Sequence, residues 1–441
     1  MDCVSFFLTV ACYLASYSTV KVRTIGITDP VTTEITINFL LPMRHNIQPA
    51  SIVVTPELPT TTVNYTAHWL TGSILMLRVE QTGSSQGQLL RWRVDGASTI
   101  IPLVRKSASG KYRPQVPLKL LNGVEKSRVP SRGPVPINFN TPVSPDKETV
   151  ISPVPGKLQP VRFIYAGKEY TDFSRWLYFP DYPLKNDSTY RIALQPGLRS
   201  LCGTILGTRQ ELVFTTAKAL RVLRTIPSIN EKGLSLYRKL EFTMDQEILS
   251  ASVTVTDPGA HITLPGTTVV RNHEVVFIPA RCFLPGKSYK VNIKAESKNR
   301  ELLSPYEFSF STVDIGNRFW VDVKLGDIHT VTVYRGATLV RHMPASGGKD
   351  ASPTPTGYFV TQDSGFSFWS PRFGEGATYW VRLMGQILVH SVPRDHQWKT
   401  KDDEHAKLGL PASHGCIRLD EKDARWFYEN IPMGTQVIIH Q

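Results

Sequence analysis

The sequence predicts a mainly β molecule: tandem β-sandwiches, then a mostly β C-terminal domain with one helix. Three observations point there. Glycine and proline, 30 and 32 of the 441 residues, are spread along the whole chain and favour short strands and turns over long helices. Alternating strands with turn signals repeat about every 100 residues. Near Asp314 that repeat stops and a different pattern begins. The length suits several domains, not one.

The repeats are visible as shared segments. "INFLLPM" at 37–43 and "INFNTPV" at 137–143 alternate apolar residues and then turn at a proline; "LEFTMDQ" at 240–246 is a looser copy. "LYFPDYPLKNDSTYRIAL" at 177–194 pairs with "VFIPARCFLPGKSYKVNI" at 276–293, and "LVFTTA" at 212–217 with "FSFSTV" at 308–313. Such blocks resemble bacterial Ig-like modules, expected at 23–106, 107–217 and 218–314. The ending "LRWRVDG" sets the first block apart from the other two. None concentrates catalytic residue types, so a spacer role is expected, with carbohydrate binding as the lesser alternative.

Residues 1–22 open with an apolar run from Val4 to Ala15, followed by Lys21 and Arg23. The run is short for a membrane span and suits a signal peptide or N-terminal anchor, although Asp2 is acidic and no Lys or Arg precedes it. The expected location is therefore the cell envelope, outside the cytoplasmic membrane. Cys3 and Cys12 fall in this segment. Cys202, Cys282 and Cys416 remain, with no CxxC and no even framework, which argues against a disulfide-built core. Cys202 and Cys282 are expected as small buried hydrophobes. The net charge of +13 favours an anionic partner. No dense Lys/Arg block or nucleic-acid motif accompanies it, so an acidic cell-wall surface is preferred to nucleic acid. A monomer is expected.

In the last block, "FWVDVKLGDIHTVTVYRG" at 319–336 reads as two strands around Gly326-Asp327. "PTPTGYFV" at 353–360 enters another. "TYWVRLMGQILVHSV" at 378–392 is a strand, a Met-Gly turn and a strand ending at His390. "DEKDARWFYENI" at 420–431 is the helix. Asp420 caps it, acidic residues fill its first turn, and Ala424, Phe427, Tyr428 and Ile431 form one face. Pro432 stops it, and "TQVIIHQ" is a final strand.

Just before the helix stands "PASHGCIRLD", 411–420. A cysteine attacks as its thiolate and needs a base or a positive field nearby. His390 ends a strand, and the polar loop between can fold it back beside Cys416. His414 and Cys416 share a side if the segment is extended. Gly415 lets backbone N–H groups face a developing oxyanion. Nucleophile, base and oxyanion donors for acyl transfer are thus all present.

"SHGCIRL" at 413–419, with "HS" at 390–391, "PTPTGYF" at 353–359 and "DARWFYENIPMGTQVII" at 423–439 in that order, resembles the YkuD-type L,D-transpeptidases of bacterial cell walls. The resemblance covers about 319–441, and a catalytic domain is expected at 315–441. It implies Cys416 as nucleophile, His390 as base and the backbone of Ser391 orienting the imidazole. It implies the amides of His414, Gly415 and Cys416 as oxyanion hole, and Ser413 and Arg418 as residues shaping the substrate pocket. The implied reaction releases D-Ala from a peptidoglycan stem tetrapeptide and joins the acyl group to a neighbouring stem amine, a 3→3 crosslink. Neither metal nor cofactor is implied. The alternatives are an L,D-carboxypeptidase, with water as acceptor, and an inactive Ig-repeat wall-binding protein. One departure stands out: residues 391–412 between His390 and Ser413 form a longer loop than the family usually carries, including Trp398 and the charge cluster Lys399–Glu404.

Overall fold

The computed structural model describes residues 18–46, 51–83, 85–121, 128–146 and 148–441. The chain divides into two compact units that part between Ala219 and Leu220. Most of the expected leader, with Cys3 and Cys12, lies outside the described residues. Its last five residues do not: Thr19–Gly26 is a strand paired antiparallel with Val31–Asn38. Among the described residues, no helix is long and apolar enough to cross a membrane.

The first unit holds two sandwiches, each of two sheets. The first is closed by Arg105–Tyr112 against Leu90–Ser98, so it runs past the expected boundary at 106. The sequence of that strand, "RKSASGKY", sends only Lys106 and Ala108 inward, and its period is invisible in hydrophobicity. Ile35, Ile37, Phe39, Leu75, Leu77 and Trp92 fill the core between the sheets. In the second sandwich Ile137, Phe139, Tyr178, Ile192 and Phe214 do the same. Cys202 is buried there but is more than a small hydrophobe. It lies 3.0 Å from Ser200 Oγ and 3.4 Å from Thr204 Oγ1.

The second unit begins with a third sandwich, its sheets built on the Leu240–Met244/Glu274–Pro279 and Ile248–Asp257/Ser288–Ser297 pairs. The catalytic-type domain follows. Its strands are β1 (Phe319–Leu325), β2 (His329–Arg335), β3 (Thr338–Ser346), β4 (Gly357–Val360), β5 (Ser364–Ser370), β6 (Glu375–Met384), β7 (Ile387–Ser391), β8 (Ile417–Leu419) and β9 (Gln436–His440). They form one nine-stranded sheet in the order β4-β9-β1-β2-β3-β8-β7-β6-β5. Two of its contacts are parallel, β9 on β1 and β8 on β7, and both join segments far apart in sequence. Helix α1 (Asp402–His405) lies in the long loop, and α2 (Glu421–Asn430) follows β8.

Asp420 caps α2 by accepting from Lys422 N at 2.9 Å. Ala424 and Phe427 are fully buried against Val381, Leu383 and Val389 in one core. Truncating Phe427 to alanine would cost about 3–5 kcal/mol. Helix α2 thereby pins β8, and with it the residues just before β8. Helix α1 escaped the sequence reading because one turn shows no apolar period; its signal was three acidic residues in a row, Asp402–Glu404.

The third sandwich and the last sheet share a small core: Leu236 and Cys282 from one, Trp320 and Ile438 from the other. Tyr237 stacks on His440 at 4.2 Å, and Tyr358 Oη accepts from Tyr237 N at 3.1 Å and donates to its carbonyl. Tyr358 is therefore a joint residue, half exposed, rather than strand core.

Candidate active site

Strands β5, β6 and β7 and the residues before β8 enclose a pocket of about 550 Å³. Phe368, Trp369, Phe373, Trp380, His390, Ser413, His414, Cys416 and Arg418 are among its lining. Of the expected site residues, His390, Ser413, His414, Cys416 and Arg418 line this one cavity, while Ser391 and Gly415 are not part of its lining. Parallel pairing of Val389–Ser391 with Ile417–Leu419 is what brings them together, because it sets His390 in register with Arg418, two residues beyond Cys416.

His390 is buried, and its Nδ1 lies 2.6 Å from the Ser391 carbonyl. A carbonyl only accepts, so Nδ1 carries the proton and Nε2 the lone pair. Phe368 meets the imidazole edge to face at 5.4 Å. Burial in these walls, and then the positive charge of Arg418, lower the His390 pKa to about 4 against the partial support of the Ser391 bond. Burial also pushes the Cys416 thiol up. Both groups are neutral at rest. The thiol donates to the Gln386 carbonyl at 3.4 Å.

Ser391 is fully buried. Its Oγ donates to the Val392 carbonyl at 3.0 Å and accepts from Thr378 N at 3.0 Å. Thr378 in turn donates to Glu421, which pairs with Arg394 at 2.9 Å. This second layer, linking β6, the loop and α2 behind His390, carried no motif in the sequence.

Ser413 Oγ donates to the Cys416 carbonyl at 2.5 Å and accepts from Gly415 N at 3.1 Å. It builds the turn that presents the thiol. Of the three expected oxyanion amides, Gly415 N–H is engaged by Ser413 in this turn, while those of His414 and Cys416 are not part of that bond. Gly415 has φ +122°, and a Cβ there would meet Ile387 Cδ1 at 2.9 Å, so only glycine fits. His414 is exposed and stacks on Phe373 at 4.6 Å.

Arg418 lines the pocket, and its guanidinium is buried and held by Glu404 of α1, by Glu375 at 3.1 Å and by the Ala412 carbonyl at 3.3 Å. Its charge is matched from behind, so it buttresses the site and sets the field at His390. A buried cation requires such partners. The long loop supplies Glu404, and therefore belongs to the site's support.

The loop also presents Trp398. Its φ is +61°, in the left-handed region that bulky residues avoid. Asp395 Oδ1 holds the turn by accepting from Gln397 N at 2.8 Å and Lys399 N at 3.0 Å. Arg394 donates to the Trp398 carbonyl at 2.5 Å. His405, exposed at the end of α1, pairs with Asp420 at 2.9 Å.

Among the described residues, one group could hold a metal: Cys282, Asp322 and His440, all buried, with ligand atoms within 4.8 Å of one another. It lies at the joint with the third sandwich, outside the pocket lining. Both His440 nitrogens have protein partners, Asp322 Oδ1 at 2.8 Å and the Gln441 carbonyl at 2.8 Å. The group reads as a polar weld between domains, and Cys282 is part of it rather than a simple hydrophobe.

Residues 318–439 match the family described as the L,D-transpeptidase catalytic domain. The C-terminal domain is a YkuD-type L,D-transpeptidase domain. Residues 217–312, the third sandwich, match the bacterial Ig-like domain family. YciB of Bacillus subtilis, an L,D-transpeptidase by designation, is 40% identical over 27% of this chain and 64% of its own length. L,D-transpeptidase 1 of Mycobacterium tuberculosis is 26% identical over 44% of this chain and 72% of its own. A solved L,D-transpeptidase from Mycobacterium smegmatis aligns at 20% identity with 51% of this chain and 100% of that one, at a TM-score of 0.25. This chain therefore spans under two thirds of YciB. Within the L,D-transpeptidase domain, the match includes the stretch from β7 through β8 that forms the pocket.

Proposed function

We propose that the protein is a peptidoglycan L,D-transpeptidase. One arrangement supports this above all: Cys416 and His390 line a common pocket of an L,D-transpeptidase domain, with His390 Nδ1 tied to the Ser391 carbonyl. In this reading the thiol swings from Gln386 toward Nε2. His390 takes its proton as sulfur attacks the amide between the third residue of a stem tetrapeptide and its terminal D-Ala. The His414 and Cys416 amides face the developing oxyanion. The C–N bond breaks, D-Ala leaves with the proton from His390, and a thioester remains. A side-chain amine of a neighbouring stem then attacks the thioester, passes its proton to His390 and releases Cys416, leaving the 3→3 crosslink. Because thiol and imidazole are both neutral at rest, His390 acts as a general base during attack and not as a standing imidazolium.

We further propose that the chain works at the outer face of the cytoplasmic membrane, with the sandwiches as spacers and the basic surface toward the anionic wall. The test is product analysis by mass spectrometry after incubation with defined stem tetrapeptides. Crosslinked dimers support the reading. Tripeptide and free D-Ala alone would make the protein an L,D-carboxypeptidase. No turnover and no acylation of Cys416 by a carbapenem would leave an inactive wall-binding protein.

A further inference from the structure

The long loop leaves a large aromatic side chain in an unusual state. Trp398 sits on left-handed backbone, held there by Asp395 and Arg394, yet 42% of it is exposed. A residue placed for packing would be buried and unstrained. Strain maintained by the surroundings at a pocket edge points to a ligand. Its ring lies 6.2 Å from Trp369, tilted by 55°, and Trp369 lines the pocket that contains Cys416. His396, from the same loop and also exposed, tilts over Trp369 at 4.9 Å. Gly376 beneath is part of the device: a Cβ there would stand 3.2 Å from Trp398 Cη2 and 2.7 Å from the Phe368 carbonyl, so the rings keep their place only over glycine.

We infer that Trp369 and Trp398 form a saccharide subsite that takes the sugar bearing the donor stem peptide. The inference rests on the stem-peptide reading above. A pyranose offers an apolar C–H face and a rim of hydroxyls. Two indole faces flanked by His396, Ser370 and Arg372 match both, apolar platform and polar edge. The subsite would make the enzyme prefer a stem still joined to glycan over a free peptide.

Binding to the full chain carrying Cys416→Ala tests this, since that protein holds donors uncut. Tryptophan fluorescence and calorimetry are read with three probes: disaccharide-tetrapeptide, free tetrapeptide, and the disaccharide alone. The disaccharide-tetrapeptide should bind about tenfold tighter than the free peptide, ~1.4 kcal/mol. Adding Trp398→Ala should remove that difference, and Trp398→Phe should keep most of it. Equal affinities in the parent protein, or a difference that survives Trp398→Ala, overturn the inference. If neither peptide binds, the stem-peptide reading falls, and the disaccharide alone still decides. Quenching lost with Trp398→Ala then upholds a sugar site, and no quenching in either protein ends it.

Discussion

The second unit contains two cysteine–histidine groups, and they have opposite characters. Cys416 and His390 open onto a pocket, with a cation, Arg418, as the leading charge acting on both. Cys282 and His440 are sealed in the joint between two domains, with an anion, Asp322, as theirs. Burial, and then the Asp322 charge, hold the Cys282 thiol well above its ordinary range. Burial raises Cys416 too, but Arg418 pulls against it. Residue type alone therefore says little. Access, the sign of the neighbouring charge and a free imidazole lone pair separate a reactive pair from a structural one.

The comparison breaks most easily at the nucleophile. Cys416→Ala should reduce turnover on the order of 10⁶-fold and abolish carbapenem acylation seen by mass spectrometry; a mutant that still acylates would move the nucleophile elsewhere. His390→Ala should lower the acylation rate by about 10²–10⁴-fold with little change in donor binding. Arg418→Ala strips the shared partner from Glu404 and Glu375 and should cost about 3–5 kcal/mol in urea unfolding. A loss under 1 kcal/mol would mean the carboxylates are already solvated. The acid limb of kcat/KM follows from the sign of the His390 shift. The base is needed neutral and its pKa lies near 4, so activity should stay flat from neutral pH down to about 5 and fall below 4. A limb centred near the ordinary histidine value would show that the imidazole is more solvated than the structure has it. The smallest effect belongs to the sealed group. Cys282→Ala leaves Asp322 one donor short and should cost about 1–3 kcal/mol in stability while carbapenem acylation proceeds unchanged. In the native protein, iodoacetamide should label Cys416 and spare Cys282.

Much of this was legible in the sequence. The repeat exposed the sandwiches, and the "HS" and "SHGCIRL" segments named the residues that meet in the pocket. Asp420 and the apolar face of α2 were readable because capping and period are local properties. What stayed hidden depends on residues distant in sequence. Nothing local announces that Glu404 and Glu375 converge on Arg418, or that Thr378 and Glu421 stand behind Ser391. The engagement of Gly415 N–H by Ser413 is a matter of turn geometry that a motif does not encode. Strand Arg105–Tyr112 was lost for the opposite reason: it is local, but too polar to show a period.

The parallel contacts of the last sheet bear on how the molecule matures. Trp320 pairs with Gln436, and His390 with Arg418, so neither contact exists until nearly all of the domain has been made. Pairings of this range are slow to form, because distant ends must meet before any contact rewards them. A partly synthesised or unfolded chain thus carries Cys416 as an ordinary thiol, without its histidine, turn or buttress. The base, the turn and the buttress that the proposed reaction uses therefore come together around Cys416 only when the fold is complete.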